Sequence, residues 1–344
     1  MAESSTLRMR SPSRLLEPGG RFPNFALPRI GAAGQSGAIF EFYRDITKGH
    51  SVILLGRPDP IWRRHDLAFQ DLGANLIAVV AAPEAAIESS SGMVHVRDAE
   101  SRLRLGLLDG GGPPGEPTVV VLDANQRIIA HRCGGDQSVL VAWAIAQLQT
   151  IGRQGVTVVR AQAPVLLIER VMTPEFCRRL TDVWAADHVE GKVSAVVDGK
   201  PASLLHDNMK RRLDHTVRRP SQLYDDITNE IARKVAPEVF KAFQFEKFRA
   251  GEYYIACYDA GRADFFAAHR DNTTPQTAKR RFALTVNLND DYDGGELAFP
   301  EFGPHGYRTA AGGGIVFSCS LLHEARPVTR GRRYALLAFL IDPA

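Results

Sequence analysis

The sequence predicts two domains of different fold class, an α/β domain followed by a mainly-β sandwich or barrel. The 344 residues, 44% of them hydrophobic, exceed what one compact core needs, so we expect the chain to split. In the first half, short apolar runs alternate with stretches of helical character, as in α/β layers. After Phe248 the pattern changes to short β-rich segments separated by Gly, Pro, Asn and Asp, which indicates antiparallel strands.

The α/β domain is predicted to cover residues 21–155. Its strands are "SVILLG", "NLIAVVAA" and "PTVVVLD", and its helices are "DPIWRRHDLAFQDLGA" and "SVLVAWAIAQLQ". Residues 1–20 are rich in Ser, Arg and Pro but lack the apolar core of a secretory signal, so we expect a flexible tail. The Gly, Gln and Arg of "TIGRQG" predict a linker, with a boundary near residues 152–162.

The second domain is predicted to cover residues 160–344 and to begin with a helix. Thr173 is suited to the N-cap, Pro174 to the first helical position and Glu175 to the first turn. The strands that follow are "EYYIACYDA", "RFALTVNLN", "GELAFPEF", "GGIVFSC" and "RYALLAFLID". Five such segments at short spacing favour a sandwich or barrel over a second α/β unit.

Charge and composition argue against several classes of partner and location. A net charge of +3, from 42 basic and 39 acidic residues, gives no strong case for nucleic acid or a membrane surface as partner. The four cysteines show no paired spacing, which is typical of reduced thiols in a cytoplasm. No apolar run approaches the roughly 20 residues that span a bilayer. We therefore expect a soluble, cytoplasmic protein.

The stretch "FFAAHRDNTTP" places His269 and Asp271 two residues apart after an apolar run. In an extended segment these side chains share one face and converge. Such a pair alone is weak support for a metal site, but His323 follows 52 residues later at the end of its own apolar strand. Two imidazoles and one carboxylate bind one face of an octahedral ion and leave three adjacent positions open, as in non-haem Fe(II) oxygenases.

An arginine completes this pattern. Arg333 follows His323 by ten residues, on the next predicted strand, where a guanidinium can bind a carboxylate through two hydrogen bonds. Alternate strand residues face opposite ways, so only one of Arg332 and Arg333 can point inward. We predict that Arg333 does, because it directly precedes the "YAL" strand continuation.

The motifs "YDAGRADFFAAHRD", "NLNDDYDGGELAFP" and "VFSCSLLHEARPVTRGRRYAL" resemble the prolyl-4-hydroxylase-like branch of the Fe(II)/2-oxoglutarate-dependent oxygenases over most of residues 160–344. The resemblance implies a double-stranded β-helix (jelly-roll) with flanking helices. It implies that His269, Asp271 and His323 ligate iron and that Arg333 binds the distal carboxylate of 2-oxoglutarate. The implied cofactors are Fe(II), 2-oxoglutarate and O2, with ascorbate as a further candidate.

The resemblance also concerns residues of the co-substrate pocket that are not metal ligands. Tyr258 matches an aromatic residue that lines the co-substrate pocket, although a packed core tyrosine explains it equally well. Asn287 stands where such proteins often carry a tyrosine that hydrogen-bonds the co-substrate, so this contact would be altered. Phe266 replaces a frequent tyrosine three residues before the metal histidine. These departures leave the metal ligands unchanged.

The implied reaction is hydroxylation of an unactivated C–H bond, with release of succinate and CO2. The substrate is expected to be an amino acid, a peptidyl residue or a small molecule. Two other classes remain open: a Zn²⁺ hydrolase could use the same three ligands and a bound water, and a binding or regulatory protein could retain an inactive site. The hydrolase would have no use for Arg333 at this spacing, and the complete ligand set argues against the inactive site.

The first domain resembles the peroxiredoxin group of thioredoxin-like folds through "GRFPNFALPRIG" and "GEPTVVVLDANQRI". The likeness implies a cis peptide bond before Pro117. A peroxidase of this group would need a thiolate after "SVILLGRPDP", and this stretch has no cysteine. Cys133 lies far downstream in "AHRCGG". We therefore expect a non-catalytic structural or interaction domain, through which a homo-oligomer could form.

Overall fold

The structure is a computed structural model that describes residues 16–31, 36–81, 92–108, 116–151, 158–197, 200–204 and 208–343. The chain divides into two compact units, one within residues 10–157 and the other within residues 158–344. Among the described residues, no helix has the length and apolar character to cross a membrane.

The first unit alternates strands and helices. Its described elements are β1 (Ala26–Ile30), β2 (Ser36–Glu41), α1 (Phe42–Asp45), β3 (His50–Leu55), α2 (Pro60–Arg64), α3 (Asp66–Asp71), β4 (Ala74–Val80), β5 (Met93–Arg97), α4 (Arg102–Leu107), β6 (Thr118–Leu122), β7 (Ile128–Cys133) and α5 (Gln137–Ile151). The described strands form one mixed sheet in the order β2-β1-β5-β4-β3-β6-β7, in which β3, β4 and β5 are parallel.

The sheet of the first unit is covered on both faces. Along β3, Ile53 and Leu55 contribute to one apolar cluster, whereas Val52 and Leu54 contribute to another on the opposite face. Successive strand residues point to opposite faces, so a strand covered on both sides reads as a continuous apolar run. This explains why "SVILLG" shows no alternation of apolar and polar residues.

Two expectations for this unit differ from the structure. Residues 16–20 are not part of a tail, because Leu16 is buried in the core and the Gly19 N–H donates to the Ile128 carbonyl at 2.7 Å; residues 1–15 lie outside the described residues. The bond before Pro117 is not cis. The cis bond among the described residues is Arg219–Pro220, and a trans bond at Pro117 lets the extended chain enter β6.

The second unit is mostly β. Its described elements are β8 (Leu166–Ile168), α6 (Pro174–Ala186), β9 (Val189–Glu190), β10 (Val193–Val197), β11 (Lys200–Leu204), β12 (Lys210–Arg211), β13 (Leu213–Val217), α7 (Gln222–Lys234), α8 (Ala236–Phe243), β14 (Arg249–Ala250), β15 (Tyr253–Asp259), β16 (Phe265–His269), β17 (Arg280–Asn287), β18 (Asp293–Gly294), β19 (Leu297–Ala298), β20 (Gly306–Tyr307), β21 (Gly314–Ser318), β22 (His323–Ala325), β23 (Val328–Arg330) and β24 (Arg332–Ile341).

Two antiparallel sheets face each other in this unit. The major sheet runs β8-β21-β17-β24-β15-β13-β9 and the minor sheet runs β12-β16-β22-β19-β20. Ala283 and Phe317 of the major sheet pack against Leu297 and Phe299 from the minor-sheet side. This mostly-β arrangement fits the predicted jelly-roll core, and it creates an interior lined by residues of both sheets.

Helices cover the outer face of the major sheet. Trp184 of α6 and Ile231 of α7 share a core cluster with Ile255 and Leu336 of the sheet. The predicted start of α6 is confirmed, because the Thr173 side chain accepts a hydrogen bond from the Phe176 N–H. With its outer face covered, the sheet is left with its inner face for a site.

Candidate metal centre

The pairing of two minor-sheet strands brings the two histidines together. His269 is the last residue of β16, His323 is the first residue of β22, and the two are partners in the antiparallel register. Their ring centroids are 4.3 Å apart. Residues more than fifty positions apart in sequence therefore become neighbours through one strand pair.

Asp271 reaches the same point differently from the sequence prediction. The strand ends at His269, so Asp271 lies in the turn that follows and not on an extended strand. The Asp271 N–H donates to the Cys319 carbonyl at 3.0 Å, which turns the chain toward the second ligand segment. The carboxylate thus converges on the histidines through a turn.

The three side chains present one compact donor set. His269 Nε2 lies 3.4 Å from Asp271 Oδ1, and His323 Nε2 lies 3.4 Å from Asp271 Oδ2. The three ligand atoms all lie within 4.8 Å of one another. Two imidazole nitrogens and a carboxylate oxygen form the donor set of a 2-His-1-carboxylate Fe(II) site, so the residues present fit this metal.

Backbone carbonyls fix the tautomer of each histidine. His269 Nδ1 lies 2.8 Å from the Ala267 carbonyl, and His323 Nδ1 lies 3.0 Å from the Leu321 carbonyl. A carbonyl oxygen only accepts, so each Nδ1 carries the proton and each Nε2 keeps its lone pair for a metal. Both rings therefore turn Nε2 toward the Asp271 carboxylate.

The ionisation states also suit a metal. Burial opposes ionisation of Asp271, but its interactions with the His269 and His323 rings and with the Arg280 guanidinium together hold the pKa of that carboxyl below its usual value. Burial lowers the pKa of His323, against the opposing charge of Asp271. An anionic carboxylate and neutral imidazoles are the forms that bind a divalent cation.

Glu301 ties the two ligand segments together. Its Oε1 accepts from Arg270 Nη2 at 2.7 Å, next to both His269 and Asp271. Its Oε2 accepts from the Leu322 N–H at 3.0 Å, next to His323. One carboxylate that is not itself a metal ligand therefore holds both segments, and no sequence motif singled it out.

The triad lies on the wall of a cavity of about 590 Å³ between the two sheets. Arg333 points into this cavity and is buried, whereas Arg332 is exposed and bonds Asp259 through Nε at 2.6 Å. The predicted orientation of the two arginines is therefore the one observed.

Among the described residues the hydrogen-bond partner of Arg333 is Thr285 Oγ1, at 3.4 Å. A guanidinium with five N–H donors is therefore buried without a carboxylate partner.

A glycine makes room for this arginine. Gly295 has φ +68°, and a Cβ built there would lie 3.0 Å from Arg333 Cδ and 2.9 Å from Val328 Cγ2. The left-handed conformation and the contact both disfavour any other residue. The glycine is thus needed for the side chain it faces as well as for the turn.

Tyr258 and Asn287 occupy different places. Tyr258 lines the large cavity, and its hydroxyl oxygen accepts from Arg212 Nη1 at 2.8 Å. Asn287 does not line that cavity. Its Nδ2 donates to the Thr309 carbonyl at 3.0 Å, and its Oδ1 accepts from the Tyr292 hydroxyl at 2.8 Å, so its amide is engaged within the protein.

Among the charged residues of the cavity wall that the sequence motifs did not single out, three lie close together: Lys210, Arg212 and Asp214. They lie in the run "KRRLD" that leads into β13. Their spacing at i, i+2 and i+4 puts them on one face of an extended segment, and this was the available signal. Such runs usually form solvated surfaces, which is why the pattern did not stand out.

Two imidazoles with one carboxylate are typical of the non-haem Fe(II) oxygenase class. Residues 253–341 match the family model described as the 2OG-Fe(II) oxygenase superfamily. This match confirms the predicted resemblance of this part of the chain to Fe(II)/2-oxoglutarate-dependent oxygenases. The resemblance implies Fe(II) as cofactor and 2-oxoglutarate and O2 as co-substrates.

Curated hydroxylases are similar to part of this chain. The chain is 34% identical over 93 residues to a PKHD-type hydroxylase of Synechococcus sp. (strain JA-2-3B'a(2-13)), which covers 25% of this chain and 41% of the relative. It is 28% identical over 186 residues to PKHD-type hydroxylase AM1_3707 of Acaryochloris marina, covering 51% of this chain and 77% of the relative. The chain thus spans about two fifths of the length of the first of these relatives.

Solved structures are also similar to part of the chain. A Pseudomonas putida prolyl-4-hydroxylase is 16% identical, with a TM-score of 0.39, and the match covers 53% of this chain and 95% of that protein. The peroxidoxin BcpB of Mycobacterium tuberculosis is 15% identical, with a TM-score of 0.33, and the match covers 40% of this chain and 99% of that protein.

Proposed function

We propose that the protein is an Fe(II)- and 2-oxoglutarate-dependent dioxygenase that hydroxylates a C–H bond of an amino acid, a peptidyl residue or a small molecule. The observation that carries the proposal is the convergence of His269, Asp271 and His323 within 4.8 Å. They converge on the wall of a cavity that also contains Arg333.

His269, Asp271 and His323 would hold the metal through Nε2, a carboxylate oxygen and Nε2. When bound, Fe(II) activates O2 for oxidation of the substrate C–H bond, coupled to conversion of 2-oxoglutarate to succinate and CO2. The protein fixes the three donors before the metal binds, because the imidazoles are held by backbone carbonyls and the carboxylate segment by its turn.

Arg333 is proposed to bind the distal carboxylate of 2-oxoglutarate. A buried guanidinium without an anionic partner is costly, and a carboxylate would supply two charge-assisted hydrogen bonds. Tyr258 is proposed to contact the same molecule: its oxygen already accepts from Arg212, so its own proton is free to be donated into the cavity. We leave Asn287 out of this set because its amide is engaged elsewhere.

The cavity wall next to the metal residues is aromatic. Phe266 stacks on the His269 ring with centroids 3.6 Å apart, and Phe317 lies 4.6 Å from the His323 ring. Apolar rings beside the donors limit the access of water, which favours reaction with the bound substrate over side reactions. This is the contribution expected of Phe266, at a position where the resembled branch frequently has a tyrosine.

The first unit is proposed to be a thioredoxin-like domain without peroxidase activity, covering residues 21–155, followed by the oxygenase domain at 160–344. The mixed sheet of β1–β7 supports the first assignment. Cys133, at the exposed end of β7, does not occupy the position after β3 where a peroxide-reducing thiolate would stand. A structural or interaction role, including self-association, is proposed for this unit.

Replacement of Asp271 tests the proposal. Asp271→Ala removes a ligand, so succinate release should fall by more than the roughly 10–100-fold that loss of an outer partner costs. The assay would screen amino acids, peptides and extract fractions with Fe(II) and 2-oxoglutarate, followed by mass analysis for a gain of one oxygen. Asp293→Ala, an exposed carboxylate paired with Arg330, is the matched control. Full activity of Asp271→Ala at ordinary iron concentration would reject the assignment.

A further inference from the structure

Two cations and one carboxylate form a buried cluster on the cavity wall. Lys210 donates to Asp214 Oδ2 at 3.1 Å, and Arg212 Nε lies 2.7 Å from Asp214 Oδ1. Their side chains are between 5% and 8% exposed. The three residues point into the same cavity as the metal triad.

No other carboxylate of the described cavity wall is free to balance this cluster. Glu190 is bound to Arg262 at 2.8 Å, and Glu252 lies 3.5 Å from Arg218. Asp271 belongs to the metal triad. The cluster therefore keeps one positive charge in excess.

A buried charge in excess is energetically unfavourable unless a ligand of opposite charge neutralises it. Burial, and next the positive charge of Arg212, lowers the pKa of the Lys210 ammonium to about 8. Of its three N–H donors, one binds the Lys192 carbonyl at 2.9 Å and one binds Asp214. Among the described residues the third has no partner, so the cluster can accept one more anion.

The position of Lys210 relates this anion to the metal. Lys210 is the register partner of Phe266, and its Nζ lies 5.4 Å from the Phe266 ring centroid. The same ring stacks on His269. An anionic group held by Lys210 would thus lie one aromatic ring away from a metal ligand, which suits a molecule that is also to be oxidised there.

We propose that Lys210 and Arg212 bind a carboxylate of the primary substrate, so that the enzyme acts on an acidic amino acid or an acidic peptide segment. This inference rests on the proposed function, because it assigns the substrate class of the same site. The carboxylate at this cluster belongs to the substrate and not to 2-oxoglutarate, because Arg333 is available to bind the carboxylate of the co-substrate. Lys210 supplies the free donor, and Arg212 supplies charge while holding Tyr258 and Asp214 in place.

The test is a binding experiment without turnover. The full chain would be loaded with Fe(II) and 2-oxoglutarate under anaerobic conditions and titrated calorimetrically with L-glutamate, L-glutamine, and pentapeptide pools that carry either Glu or Gln at the central position. We expect at least one acidic probe to bind about tenfold or more tightly than its amide counterpart, since a charge-assisted contact is worth roughly that factor.

Three variants locate the effect. Lys210→Met should remove most of the acidic preference, and Lys210→Arg should retain much of it. Lys247→Met, an exposed lysine of the same unit outside the cavity wall, should change nothing. The affinity for 2-oxoglutarate should be the same in all three variants, and thermal unfolding of each would verify that it folds.

Equal binding of every acidic and amide pair would overturn the inference, and so would an acidic preference that persists in Lys210→Met. A fall in 2-oxoglutarate affinity in Lys210→Met would show that the anion belongs to the co-substrate and would overturn it as well. These results are distinguishable from failure of the proposed function. Acidic probes bound through Lys210 in a protein without succinate release would support the anion site and reject the hydroxylase.

Discussion

Neighbouring arginines of β24 serve different purposes because a strand exposes alternate residues to opposite faces. Arg333 lies inside the cavity with Leu337 and Phe339, four and six residues on, at positions of the same parity. Arg332 lies outside and bonds Asp259. The parity of the strand thus decides which arginine can meet the co-substrate.

Replacement of Arg333 should therefore affect 2-oxoglutarate specifically. Arg333→Leu removes a charge-assisted contact worth about 1.5–3 kcal/mol, a loss of roughly ten- to a hundredfold in 2-oxoglutarate affinity. Iron affinity should change little, because Arg333 is not a ligand. Anaerobic titration with 2-oxoglutarate, followed by the charge-transfer absorbance, measures the effect. Arg332→Leu is the control, since an exposed ion pair contributes about 0–1 kcal/mol; the reverse result would reassign the co-substrate arginine.

A second residue-level prediction concerns Gly295. Gly295→Ala should cost stability of about 1–2 kcal/mol from its left-handed conformation, and it should weaken 2-oxoglutarate binding because the new Cβ displaces Arg333. Gly135→Ala provides the comparison: Gly135 has φ +95° and open space around its Cβ position. Urea unfolding should show a loss for both variants, whereas 2-oxoglutarate affinity should fall in Gly295→Ala alone. Unchanged affinity there would show that Arg333 adjusts freely.

At the residue level, the sequence predicted the metal ligands and Arg333 better than the residues that surround them. The order of His269, Asp271, His323 and Arg333 along the chain is a motif, so it could be recognised without coordinates. The engagement of Asn287 by Tyr292 and Thr309 could not, since it depends on a turn that brings distant groups together. For Asp214, the spacing of the run places both cationic partners on its face, but their burial at the cavity could be seen only in the structure.

At the level of elements, the centre is a junction of two segments: the turn after β16 and the start of β22. Several bonds cross between them. Asn272 Nδ2 donates to Ser320 Oγ at 2.8 Å, the Asp271 N–H donates to the Cys319 carbonyl, and Glu301 bonds both sides. These hydrogen bonds hold the three metal ligands in place. Metal affinity should therefore respond to residues that do not contact the metal.

Glu301→Gln tests this support. The amide keeps an acceptor for the Leu322 N–H but loses the charge-assisted bond with Arg270, so the two segments should be held less firmly. We expect affinity for Fe(II), or for Mn(II) as a stable substitute, to fall by about tenfold, with little change in global stability. Metal titration of the full chain measures it. Glu175→Gln, which removes an exposed ion pair with Arg178 on α6, is the matched control. Wild-type metal affinity in Glu301→Gln would contradict the supporting role.

The long strands of the second unit were predictable because their apolar runs are bounded by Gly, Pro, Asn and Asp, and the predicted segment "GELAFPEF" contains β19. Other short strands of the minor sheet were not predictable in this way, because β12 and β22 have two and three residues, too few for a periodic pattern. The prediction that His269 and Asp271 share a strand face was wrong for a related reason. The sequence does not mark where β16 ends, and its last residue is the first metal ligand.

For the whole molecule, the cysteines offer a test of packing in both units. Cys133 is exposed, whereas Cys177, Cys257 and Cys319 are buried. Burial raises the pKa of Cys177 to about 11 and that of Cys257 to about 12. Near pH 8 we expect one thiol to react rapidly with a disulfide reagent in the native protein and four after denaturation. Cys133→Ser should abolish the rapid reaction. Fewer than four thiols in the denatured chain would instead indicate a disulfide.

The same exposed thiol bears on whether the first unit adds a second chemistry to the chain. A peroxide-reducing thiolate of the resembled fold would stand after β3, where residues 56–59 read "GRPD" and offer no nucleophile. Cys133 instead ends the edge strand β7, opposite Thr118 in the register, and is exposed to solvent.

With iron removed by a chelator and dithiothreitol as donor, the full chain should consume hydrogen peroxide no faster than the same concentration of an unrelated exposed thiol. Cys133→Ser should remove only that slow background. Catalytic turnover that disappears in Cys133→Ser would show that the edge of this sheet is itself an active site and would overturn the assignment of the first unit as non-catalytic.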